Sequence, residues 1–174
     1  MKRKSTRYLA EGAVIGAFYA VLTIALAPIS FGVVQFRVSE ALTILPLFTP
    51  AAIPGLTVGC IISNFVGTLM GANLAGAWDV LIGSAATLAA ALCTYAMRNI
   101  KFKSLPLMSY LPPIVFNALI VGGELFFMLP AEFSLTLGVL SVGAGEAVVV
   151  FVLGIPLYYL LKKTKIFEHN GLAS

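Results

Sequence analysis

The sequence predicts an all-α, polytopic membrane protein, and three observations predict it. Hydrophobic residues make up 60% of the 174-residue chain and charged residues only 10%, with a mean hydropathy of +1.01; soluble domains carry roughly 25% charged residues. Apolar runs near the length that spans a bilayer core, about 20 residues, recur along the chain with few charges inside them. The 11 basic residues fall into clusters between those runs, at Lys2 to Arg7, Arg98 to Lys103 and Lys162 to Lys165, with Arg37 as the exception. At about 20 residues per crossing there is room for six or seven crossings at most, hence for one transmembrane domain over residues 1–174 and for no soluble catalytic module. Any energy source lies elsewhere.

The first run, Tyr8 to Ala27, follows a basic start but exceeds the usual signal-peptide core and lacks a clear small-residue cleavage site, so it reads as a retained helix. Gly12, Gly16 and Ala20 recur every fourth residue in it, as do Ala13 and Ala17, and such a small-residue stripe lets another helix approach closely. That helix belongs either to this protein or to a membrane partner. From Glu40 to Gly71 the chain is apolar but interrupted by Pro46, Pro50 and Pro54. Proline breaks helices and pushes its predecessor toward extended backbone, so a short helix ends near Phe48 and a longer one runs from Ile53 to Met70. A loop, MGANLAGAW, leads to the next helix, Asp79 to Met97. Pro112 and Pro113 suit the first turn of a run that reaches Met128, and the last run spans Leu135 to Leu161. Six crossings place all the basic clusters on one side, in agreement with the positive-inside rule, with both termini cytoplasmic in a bacterial plasma membrane.

The same topology assigns a depth to each polar residue. Ionisable groups at bilayer depth cost roughly 2.5 to 3.5 kcal/mol each on insertion scales, so they are rarely kept without a partner or a task. The stretch from Pro28 to Gly55 carries Gln35, Arg37, Ser39 and Glu40 among apolar neighbours. Glu40 and Asp79 fall near the outer ends of their helices and Asn64 about 10 Å below one; Glu124 lies about 6 to 8 Å below another, and Glu146 roughly 15 to 18 Å into the last helix. Asn117 lies deeper but, seven residues before Glu124, shares that helix face within about 20°. The pattern predicts one polar pocket, open outward and lined by Gln35, Arg37, Glu40, Asn64, Trp78, Asp79, Asn117, Glu124 and Glu146.

Structural readings stand beside these. Asp79 suits an N-cap, Arg37 and Glu40 suit a mutual ion pair, Asn64 and Asn117 suit interhelical hydrogen bonds, and Trp78 suits either an interfacial belt or stacking on a flat ligand. Glu124 and Glu146 are harder to explain structurally, since the last two helices hold no basic residue. Glu11, Glu132 and Glu168 read as interfacial or solvated, and His169 as part of a polar tail. Cys60 and Cys93 sit in apolar runs, where free thiols act as small hydrophobes, and imply neither a disulfide nor a metal site. Four acids facing one arginine favour a cationic, nitrogen-rich guest, and a carboxylate accepts two parallel N–H bonds from a guanine-like edge as it does from guanidinium.

The strings VQFRVSEALTILPLFTPAAIPGL, PPIVFNALIVGGEL and GAGEAVV resemble those of the QueT family, the S-components of energy-coupling factor transporters for queuosine precursors. The resemblance runs over nearly the whole chain. It implies a six-helix S-component fold and a 7-deazaguanine ligand such as preQ1, whose planar base and aminomethyl cation suit an acidic pocket. It further implies a transmembrane coupling subunit and two ATP-binding cassette ATPases as partners, with ATP used by those ATPases and no cofactor in this chain. In such S-components an Ala-x-x-x-Ala pattern in the first helix meets the coupling subunit, and Ala13 and Ala17 fit it, with Gly12 and Gly16 alongside. The chain has no G-x-x-x-x-G-K-[ST] phosphate loop.

Other classes are less well supported. An ion-coupled secondary transporter also keeps intramembrane carboxylates, but no convincing internal repeat is visible. An intramembrane enzyme would need a nucleophile with a base beside it or a metal motif such as H-E-x-x-H, and neither is present.

Overall fold

The computed structural model describes residues 2–32, 34–100, 106–132, 134–164 and 166–167; Lys101, Lys103, Lys165, Glu168 and His169 lie outside them. Among the described residues every regular element is helical, as expected. Five stretches are long and apolar enough to cross a membrane: Thr6–Ala25, Ala52–Leu69, Trp78–Ala96, Leu107–Met128 and Leu135–Thr164. They are built from α1 (Lys2–Ala25), α3 (Ala52–Leu69), α4 (Trp78–Ala96), α5 and α6 (Leu111–Phe116 and Gly122–Met128), and α7 and α8 (Leu135–Val149 and Ile155–Thr164). A four-residue α2 (Ala27–Ser30), begun by Pro28, follows α1. The two long hairpin arms each contain a π-helical turn, Asn117–Val121 between α5 and α6 and Val150–Gly154 between α7 and α8.

The short second helix expected from the prolines is a 3-10 helix, Val38–Leu47, with Pro46 inside it. Its tighter winding follows from where it has to go. Gly12 of α1 faces Ala51 and Gly55, Gly16 faces Gly55 and Gly59, and Phe31 packs on Gly67. Contacts that ascend together along both helices make α1 and α3 parallel. The chain between them must therefore return over the rise from Ala51 to Gly67, about 24 Å of α-helix. Ten residues of 3-10 helix cover about 20 Å of it, and the extended backbone before Val38 covers the rest; ten residues of α-helix would give only about 15 Å.

The remaining elements alternate. Asn64 meets Asp79 and Cys60 meets Thr87, so α3 and α4 are antiparallel. Thr94 bonds Ser109, which turns the chain from α4 toward α5, and Gly122 packs on Gly138 to pair α6 with α7. The 3-10 helix runs parallel to the last arm: Gln35 backbone lies on Gly145, Ile44 on Gly154, and the Phe48 and Tyr158 rings are 5.4 Å apart. It thus threads the middle of the bundle, with Ser39, Glu40, Ala41, Thr43, Ile44, Leu45, Pro46 and Leu47 all buried. These directions put Arg7, Arg98 and Lys162 at one end of the bundle.

Two apolar clusters fill that basic end, one around Tyr19, Leu45 and Leu56 and one around Ile44, Phe48, Tyr110 and Tyr158. A third, around Val121, Leu125 and Val142, fills the gap between α4, α6 and α7. The buried polar residues sit among these clusters. The small-residue stripes of α1 have separate fates: Gly12 and Gly16 are buried against α3, while Ala13 and Ala17 are exposed. Packing within the chain claims the glycines and leaves the alanines on the surface.

Candidate functional site

The polar centre begins at Arg37, the last extended residue before the 3-10 helix (φ −82°, ψ 90°) and 2% exposed. Its Nη2 lies 3.4 Å from Asp79 Oδ2, and its guanidinium carbon is 5.3 Å from the centre of the Phe31 ring. The ion pair expected between Arg37 and Glu40 is therefore corrected to Arg37 with Asp79. Extended backbone at Arg37 directs its side chain toward α3 and α4, whereas Glu40, one 3-10 turn on, directs its own toward α1. There the Tyr19 hydroxyl donates to Glu40 Oε1, and Thr23 Oγ1 sits 2.6 Å from Ser39 Oγ.

Asp79 is also not the N-cap of α4; Ala77 holds that position without a side-chain cap, and Asp79 lies in the first turn. A negative charge is favourable near a helix N-terminus. Its Oδ2 accepts a second bond from Asn73 Nδ2 at 2.9 Å, and its carbonyl accepts from Asn64 Nδ2 at 2.7 Å. Asn73 reaches it because the loop turns at Gly71 (φ 69°) and Gly76 (φ 66°), left-handed positions that glycine adopts without strain. Gly83, one turn past Asp79, leaves the space its carboxylate occupies.

Cys60 is more than a small hydrophobe. Arg37 Nη1 at 3.7 Å, Asn64 Nδ2 at 3.5 Å and Thr87 Oγ1 at 3.3 Å all approach its sulfur, so it serves as a weak acceptor on the α3 wall. On the opposite wall, the Asn117 side chain donates to the Pro113 carbonyl at 3.0 Å, which the Asn117 backbone N–H also reaches, and lies close to Glu40. The π turn interrupts the helix between Asn117 and Glu124, so the face-sharing expected of an unbroken helix does not describe them. Both are buried all the same.

Glu40, Asp79, Glu124 and Glu146 come from four elements and are 0 to 4% exposed. Arg37 interacts electrostatically with each of them; Glu40 also acts on Glu146, and Asp79 on Glu40 and Glu124. Among the described residues no three acidic, cysteine or histidine side chains are close enough to hold one metal ion. The acids therefore surround the centre without meeting at a point. Several of their buried atoms have no hydrogen-bond partner in the protein: Glu40 Oε2, Asp79 Oδ1, Glu146 Oε2 and both oxygens of Glu124, together with Arg37 Nε, Asn64 Oδ1 and Ser84 Oγ. Buried polar groups are ordinarily paired, and each one left unpaired costs about 1–3 kcal/mol, so these atoms still have hydrogen-bonding capacity that the protein itself does not use.

Gln35 is buried beside this centre, its backbone pressed on Gly145 next to Glu146, while Trp78 is 58% exposed on the outside of the bundle. The structure thus brings together the sequence-predicted residues except Trp78. Tyr19, Thr23, Cys60, Asn73 and Thr87 join them unforeseen. Tyr19 and Thr23 were within reach of the sequence, since they continue the face of Gly12 and Gly16 at helical spacing; nothing in the sequence ties Asn73 to Asp79.

Helical spans, basic groups at one end and a buried, multiply charged centre define a multi-pass membrane protein. The chain belongs to the QueT transporter family, whose profile matches residues 9–163. It is 38% identical over 91 residues to the queuosine precursor transporter QueT of Lactococcus lactis subsp. cremoris (strain MG1363), a match covering 51% of this chain and 49% of that relative. The match thus spans about half the length of the curated relative. No solved structure matches the chain.

Proposed function

We propose that this chain is the substrate-binding S-component of an energy-coupling factor transporter and takes up a queuosine precursor, a 7-deazaguanine such as preQ1. The observation that carries the reading is the convergence of Glu40, Asp79, Glu124 and Glu146 around Arg37 with acceptor oxygens left unpaired. Acceptors in excess suit a guest rich in N–H donors, and the aminomethyl cation of preQ1 adds the positive charge that the single arginine does not supply. Family membership and the substrate in the name of the Lactococcus relative point the same way.

The rest of the reading is topological. The return segment through Val38–Leu47 counts as a crossing, giving six. The basic end faces the cytoplasm by the positive-inside rule, which leaves the buried polar centre on the outward side of the bundle. Exposed Ala13 and Ala17 offer a close-packing surface to a coupling subunit, whose two ATPases drive release inward. Calorimetric titration of the purified chain with preQ1, preQ0, guanine and riboflavin tests the substrate. Preference for preQ1, weakened in Glu124→Gln and Glu146→Gln, is expected; equal weak binding of all four ligands would defeat the assignment.

A further inference from the structure

The acids of the polar centre are not equivalent in what they still have to offer. Glu40 commits Oε1 to the Tyr19 hydroxyl, and Asp79 commits Oδ2 to Arg37 and Asn73, which leaves each with one unpaired oxygen. Glu146 makes no hydrogen bond among the described residues either, but only one of its oxygens is fully buried. Glu124 alone has both oxygens fully buried and unpaired, although its side chain is within electrostatic reach of Arg37 and Asp79 and the residue is only 4% exposed. Beside it there is room: Gly123 is buried, yet a Cβ placed on it would meet no atom within 4 Å.

A guanine-type base presents two donors side by side, the ring N1–H and the 2-amino group. Only a carboxylate with both oxygens available can accept this pair in parallel. We infer that Glu124 reads that edge, while the single free oxygens of Glu40 and Asp79 are left for the cationic end or for the remaining donors of the guest. The inference rests on the substrate reading above and adds to it the residue that decides between a 2-amino purine and its 2-deamino analogue. A site built to accept a given N–H rejects the analogue lacking it by a factor of up to ~10⁴, since its buried acceptor is then left unpaired.

The test compares 7-deazaguanine with 7-deazahypoxanthine, which lacks the 2-amino group, and preQ1 with preQ0, which lacks the cation. The wild-type chain is expected to prefer 7-deazaguanine by ~10²-fold or more. In Glu124→Gln the side-chain amide sets a donor against the 2-amino donor, so this preference is expected to vanish while preQ1 remains favoured over preQ0. A preserved 2-amino preference in Glu124→Gln, or its loss in Glu146→Gln instead, overturns the assignment. So does a folded Glu124→Gln protein that loses both 7-deazapurines and the preQ1 preference together. Should Glu124→Gln fail to fold, Glu124→Asp withdraws the carboxylate by one methylene and is expected to reduce the 2-amino preference, an unchanged ratio again overturning it. If no 7-deazapurine binds the wild-type chain, the substrate reading fails rather than the role of Glu124.

Discussion

Replacing Gly55 by alanine probes the parallel contact of α1 with α3, on which the whole course of the chain depends. A Cβ at Gly55 would lie 2.6 Å from the Gly12 carbonyl oxygen and 3.2 Å from Gly12 Cα. Both are backbone atoms, so no rotamer change relieves the clash and α1 must move away. Gly123→Ala is the matched control, because the added methyl meets nothing within 4 Å. Alanine is the better helix former by about 0.8–1.0 kcal/mol in either position, and that gain cancels between the two variants. What remains is overpacking strain of about 1–3 kcal/mol, or about 2–12 °C of melting temperature for a chain of this size. Size-exclusion of detergent-solubilised protein after stepwise heating measures the difference. Gly55→Ala melting together with or above Gly123→Ala would refute the parallel α1–α3 packing and with it the return of the chain through the 3-10 helix.

Further expectations follow from the polar centre. Arg37→Met leaves Asp79 buried without its counter-charge and is expected to cost about 3–5 kcal/mol, while Arg37→Met with Asp79→Asn recovers part of the loss in the same thermal assay; additive effects would sever the pair. Tyr19→Phe removes the donor to Glu40 and is expected to cost about 1–3 kcal/mol, read as lowered melting temperature or preQ1 affinity, and no change in either would make that bond incidental. Ala17→Leu adds bulk to an exposed face, so it should leave preQ1 binding by the isolated chain intact while reducing co-purification with a coupling subunit; unimpaired co-purification would place the docking surface elsewhere. Uptake of preQ1 by cells should stop when the partner ATPases are deleted, and uptake that persists would favour an ion-coupled mechanism.

Much of this protein is legible along the chain because a bilayer constrains sequence so directly. Every backbone group in lipid must be paired internally, so apolar length reports helix, and the charges that remain stand out as costly. The helix boundaries, the break after Phe48 and the set of carboxylates inside the membrane all follow from that economy. Pairing does not. Arg37 stands three residues from Glu40 and forty-two from Asp79, yet backbone direction at one extended residue sends it to the distant acid.

The same division explains the stripes on α1. Spacing alone identifies Gly12, Gly16, Ala13 and Ala17 as places for close approach, but only the position of α3 separates the glycines it covers from the alanines it leaves exposed. Likewise, the list of acids is written in the sequence, whereas the oxygen each has left to offer depends on Tyr19, Asn73 and Arg37 arriving from other elements. Composition and periodicity are local properties and survive in the linear order; hydrogen-bond partners are properties of the packed bundle, and folding alone assigns them.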